Sequence, residues 1–119
     1  MISSCPNTVG VYGDHPTSMF QQFRRLQAFE HRHLPYLQSP LDSVVIAEIG
    51  HYQERGRPLT VKGLLLLQLG APATVNRRLQ RLIRLGAIHK RPVRHDGRVY
   101  QLEIDAAVRK AYVKYLKLI

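Results

Sequence analysis

Cysteine is almost absent: Cys5 is the single one in 119 residues. One thiol permits no internal disulfide, so a reducing compartment is expected, with the cytoplasm as the default. Residues 1–13 around it carry Ser, Pro, Asn and two glycines without apolar periodicity. They read as a flexible tail or arm. A basic n-region and an apolar h-region are both missing there, so no signal peptide is expected. No apolar run exceeds four residues, Leu64–Leu67 being one of them. Nothing of that length spans a bilayer, and no membrane partner is expected. Phosphate-cradling loops are also missing, since neither G-x-x-x-x-G-K-[ST] nor G-x-G-x-x-G occurs. Ser18, Ser39 and Ser43 lack a glycine elbow, and the acidic residues form no paired constellation. The expectation is a protein that is not an enzyme. The six histidines are dispersed. His31 and His33, two apart on a helix, do not face one way. No metal and no other cofactor is expected.

Acidic residues are scarce as well. Eight Asp+Glu stand against eighteen Lys+Arg, a formal charge of +10. Such an excess calls for a polyanionic partner, nucleic acid before any other. Most of the imbalance is local. Between Ala71 and Arg98 lie Arg77, Arg78, Arg81, Arg84, Lys90, Arg91, Arg94 and Arg98, opposed by Asp96 alone. A concentrated excess marks a binding surface, whereas a scattered one serves solubility. Apolar residues make up 45%, enough for a modest core in one domain.

Helix signals punctuate the chain. Asp14-His15-Pro16 reads as a start, and Met19, Phe20, Phe23, Leu26 and Phe29 form an apolar stripe that ends at Leu34-Pro35. Ser39-Pro40-Leu41-Asp42 is a sharper start, with Ser39 as cap, Pro40 in the first turn and Asp42 at the positive helix end. Gly56 stops that second helix. Thr60 caps a short third helix expected over Val61–Gln68. A tight turn, Ala71–Thr74, leads to a fourth helix over about Ala73–Leu85, stopped by Gly86. Strands follow over Ala87–Pro92 and Val99–Ile104 around the Asp96-Gly97 turn. Asp105 caps a last helix bearing Val108, Ala111, Tyr112, Tyr115 and Leu118. The fold class this predicts is α+β, mostly helical: a winged helix-turn-helix with N- and C-terminal flanking helices.

On the fourth helix Val75, Leu79, Leu82 and Ile83 share one face. Arg77, Gln80, Arg81 and Arg84 fall opposite, with Asn76 and Arg78 on the flanks. An α-helix fits the DNA major groove, where Arg pairs with guanine and Asn or Gln with adenine. Asn76, Arg77, Gln80 and Arg81 are therefore the expected base readers. The helix N-terminus and the Thr74 hydroxyl suit phosphate. Lys90, Arg91, Arg94 and Arg98 on the hairpin suit the adjacent minor groove or its phosphates.

Thr60 through Ile104 resembles the MarR family of bacterial transcription regulators. The resembling residues are Leu59 to Leu64, Leu69 to Leu79, Leu82 to Ile88 and the wing Arg94-His95-Asp96-Gly97-Arg98, whose Asp96-x-Arg98 is similar to the family's wing motif. The resemblance implies base or phosphate contacts at Ala73, Thr74, Asn76, Arg77 and Arg78, and a minor-groove arginine at Arg98. Lys62 is counted with these residues. It further implies a homodimer built from the terminal helices, for which Met19, Phe20, Phe23, Leu26, Val108, Tyr112 and Tyr115 carry the expected apolar surface. The expected partner is then double-stranded DNA with a palindromic site, held by a dimeric repressor. A small-molecule effector is left open. The alternative is a winged-helix module that contacts protein or RNA in a larger assembly.

Overall fold

The computed structural model describes residues 18–93 and 96–118. The arm over 1–13, the helix start at Asp14-His15-Pro16 and the wing-tip residues Arg94 and His95 lie outside them. Four helices come first: α1 (Met19–His33), α2 (Pro40–Glu54), α3 (Val61–Leu66) and α4 (Pro72–Arg84). Strands β1 (Ile88–Val93) and β2 (Asp96–Ile104) follow, and α5 (Ala106–Leu116) closes the order. This is the expected α+β, winged helix-turn-helix arrangement with flanking helices.

Short polar side chains start four of the five helices. Ser18 Oγ accepts from the Gln21 amide at 3.1 Å and Thr60 Oγ1 from the Gly63 amide at 3.0 Å. Asp105 accepts from the Ala107 and Val108 amides. Ser39 and Asp42 form a reciprocal capping box at α2. The fifth start differs. Ala71 precedes α4 and gives no side-chain cap, which leaves the first amides of α4 behind Pro72 without one.

Two helices end in the same motif. After α4 the Ala87 amide reaches the Leu82 carbonyl and the Gly86 amide that of Ile83, each at 3.0 Å. After α2 the Arg57 amide reaches Tyr52 and the Gly56 amide reaches Gln53. The pivot residue must be left-handed, and Gly86 and Gly56 have φ of +80° and +74°. At α3 the same pivot falls on Gln68, with φ of +57°. This ends the helix at Leu66, two residues before the expected end, and places a side chain where its Cβ crowds the backbone. Gly86→Ala is expected to cost about 1 kcal/mol, because nothing but backbone strain stands against the added methyl. Thermal unfolding of the variant checks this.

The core gathers buried residues from every described element but α1. Val45, Ile46 and Ile49 come from α2, Leu64 from α3, Val75, Leu79 and Leu82 from α4, Ile88 from β1, Leu102 and Ile104 from β2, and Val108 from α5. The spacing of four and three on α4 is the expected buried face. The leucine-rich α3 divides: Leu64 is buried while Leu66 is 70% exposed.

The strands pair antiparallel, Ile88 opposite Ile104 and Pro92 opposite Tyr100, with an irregularity between Pro92 and Val93. β2 begins three residues earlier than expected. Its other edge is partly covered, since the Leu102 amide donates to the Leu59 carbonyl at 2.7 Å. The Ile104 amide finds Gln53 Oε1 at 2.8 Å. These bonds root the hairpin in the core and leave its far end projecting.

Candidate nucleic-acid interface

The turn between α3 and α4 sets α4 across the core with its other side in solvent. Ala73, Asn76, Arg77 and Arg84 are exposed there. Arg77 and Arg84 have no ion-pair partner among the described residues. Gln80 is half-buried and its amide donates to Asn76 Oδ1 at 3.3 Å, so the two amides form one polar patch. Thr74 is half-buried at the open N-terminus of the helix. Lys62, in the first turn of α3, is exposed.

Arg78 and Arg81 turn the other way. Arg78 Nε and Nη2 meet the two oxygens of Asp42 at 2.8 and 2.5 Å. Arg81 Nη1 donates to the Tyr36 carbonyl at 2.8 Å and lies 3.5 Å from Asp42. Asp42 itself is fully buried. Burial pushes its carboxyl up. The Arg78 hydrogen bonds and the amides of Gln38 and Ser39 outweigh that and hold it below the usual carboxylate range. The sequence offered Arg78 and Arg81 as part of the outward basic set. The structure gives their donors protein acceptors instead. The signal for Asp42 was its place as third residue of a capping box, which shows a carboxylate turned inward but not who shares it.

On the wing, Lys90 stacks over the Tyr100 ring, 5.0 Å from its centre. Arg91 Nε donates to Glu103 at 3.1 Å, a pair exposed on both sides. Arg98 is exposed on β2. At the wing's base His89 meets Asp105 at 2.8 Å. That contact, then the Ala107 and Val108 amides, hold Asp105 below the usual carboxylate range against partial burial.

The terminal helices meet through few contacts. Tyr115 donates to Glu30 at 2.6 Å and stacks against Phe29, and the Gln22 side-chain amide reaches the Leu118 carbonyl. Burial, with Glu30 nearby, pushes the Tyr112 and Tyr115 hydroxyls up to about 12, so both stay protonated. Of the residues offered for dimerisation, Met19, Phe20 and Phe23 are 72%, 70% and 53% exposed. Leu26 and Tyr112 are half-buried, and Val108 is buried in the protomer's own core. Val113 and Leu116, which sequence reasoning passed over, are exposed on α5. Their spacing of three was the available signal.

No protein-family model matches the sequence, and no curated protein matches it either. Solved structures do match the shape. The crystal structure of MarR shares 21% identity over 82% of this chain and 69% of its own, with a TM-score of 0.55. The S. aureus MepR–DNA complex shares 14% over 84% and 81%, with a TM-score of 0.60. The fold is the MarR winged helix-turn-helix. The M. tuberculosis regulator MOSR, solved with DNA, is a further neighbour at 21% identity, covering 85% and 74%, with a TM-score of 0.52. In this MarR-type fold α3 and α4 are the helix-turn-helix and β1 and β2 the wing. No described helix is long and apolar enough to cross a membrane.

Proposed function

We propose that this protein is a double-stranded DNA-binding transcription regulator that acts as a homodimer and represses by occluding its site. One observation carries the reading. The face of α4 turned away from the core presents Asn76, Arg77 and Arg84, and the helix begins with amides that no side chain caps. An α-helix with such a face fits the major groove, and its free amides suit phosphate. Lys62 and the wing residues Lys90, Arg91, Arg94 and Arg98 supply backbone and minor-groove contacts on either side. The matched folds that hold DNA support the same reading.

Asn76 and Arg77 are assigned to base edges, with Gln80 orienting Asn76. Ala73 and Thr74 are assigned to the close approach at the helix N-terminus. The dimer is assigned to Met19, Phe20 and Phe23 of α1 with Val113 and Leu116 of α5, whose apolar side chains are exposed among the described residues of one protomer. A twofold dimer places two copies of α4 about one DNA turn apart, facing a palindrome.

Competition between a random-sequence duplex and single-stranded RNA of equal length tests the class of partner. Preference for the duplex is expected, and preference for RNA overturns the reading in favour of an RNA-binding module. On a selected duplex, Arg77→Ala is expected to cost about 1–3 kcal/mol and to relax specificity at one base pair. Equal weakening on every sequence would assign Arg77 to phosphate.

A further inference from the structure

Two arginines of α4 end at the junction of α1 and α2, Arg78 on the first turn of α2 and Arg81 on the short segment that joins the helices. Arg78 grips Asp42, and Asp42 in turn holds the amides of Gln38 and Ser39 at 2.9 and 3.0 Å. Arg81 donates to the carbonyl of Tyr36. The segment is fixed from its other side as well, because Leu34 is buried and Tyr36 packs on the core. A guanidinium is planar and pre-organised, so such a pair fixes direction as well as distance. To rotate or slide against this junction, α4 must break several charge-assisted bonds at once.

The junction is also where the DNA-facing half of the protomer joins α1. With α1 held against a second copy, the junction decides how far α4 stands from the twofold axis. We infer that Arg81, together with Arg78, is a positioning residue for DNA recognition: it fixes the separation of the two α4 helices, and through it the half-site spacing, and does not read a base. This rests on the DNA-binding dimer proposed above. The leverage is sufficient. A shift of each α4 by about 1.7 Å relative to its own α1 changes the separation of the two helices by about 3.4 Å, one base-pair step.

The test is selection from a random duplex library with the full chain, comparing wild type, Arg81→Gln and Arg81→Lys. Wild type is expected to enrich an inverted repeat with one spacing. Arg81→Gln is expected to enrich the same half-site over spacings that spread by about one or two base pairs. Arg81→Lys, which retains a charged donor, is expected to fall between them. An unchanged single spacing in both variants overturns the inference alone, as does a changed base preference within the half-site. If wild type enriches no duplex, the DNA-binding reading falls and the inference with it. Spin labels at Arg84→Cys in a Cys5→Ser background follow the same quantity without DNA. One narrow distance is expected for wild type and a broader distribution for Arg81→Lys, and equal widths overturn the inference even where Arg81→Gln is too unstable to select with.

Discussion

Arg78→Ala will unfold at a lower temperature than wild type at pH 8, and the deficit will shrink as the pH falls toward 5. In the wild type the folded-state pKa of Asp42 lies below its unfolded value. Its contribution is therefore fully present above about pH 4 and is lost as pH falls through the folded pKa. Removing Arg78 leaves a fully buried carboxylate with two amides and the more distant Arg81. Burial then dominates, and the folded pKa rises above the unfolded one. A raised pKa reverses the sign: stability is retained at low pH and lost as pH rises through the folded value. The expected deficit at pH 8 is on the order of 10 °C in Tm. Asp42→Ala removes the capping box and the acceptor of two amides, and is expected to cost about 3 kcal/mol above pH 5. Thermal unfolding of the three proteins across pH 4–8 measures both effects. Parallel curves for Arg78→Ala and wild type would show that the pair is not what satisfies Asp42.

Phe20→Ala with Phe23→Ala is expected to turn a dimer into a monomer at micromolar concentration. Both rings lie mainly in solvent in the protomer, on the half of α1 that meets the end of α5. Burying a phenylalanine is worth about 1.5–3 kcal/mol, and twofold symmetry counts each ring twice. The low end of that range, about 6 kcal/mol, corresponds to a Kd raised on the order of 10⁴-fold. Sedimentation equilibrium reads the change. The protomer's own core does not use these rings, so its melting at high dilution should stay the same. A wild type that sediments as a monomer at every concentration would dismiss the dimer.

The amphipathic character of α4 was plain in the sequence because Val75, Leu79 and Leu82 recur at helical spacing. The helix starts at Ser39, Thr60 and Asp105 were plain because a short polar side chain at a cap has one local task. Gly56 and Gly86 marked their stops for a similarly local reason. The end of α3 was not legible, since Gln68 occupies a pivot that glycine usually fills. The inward turn of Arg78 was hidden for a different reason. Helical phase placed it on a flank, and its partner lies 36 residues away. Long side chains at a flank can go either way, and a distant buried acceptor decides. Val108 shows the same ambiguity from the apolar side, because a stripe marks burial without showing whether a protomer or a partner provides it.

We propose that the exposed basic surface around α4 and the wing engages duplex DNA. Fluorescence anisotropy of the purified protein with a labelled random-sequence duplex, repeated across salt, tests it most directly. If about six phosphates are neutralised, affinity should fall about 10³-fold between 50 and 200 mM salt, linearly on a log–log plot. No binding at the lowest salt, or binding that salt does not weaken, would contradict the account.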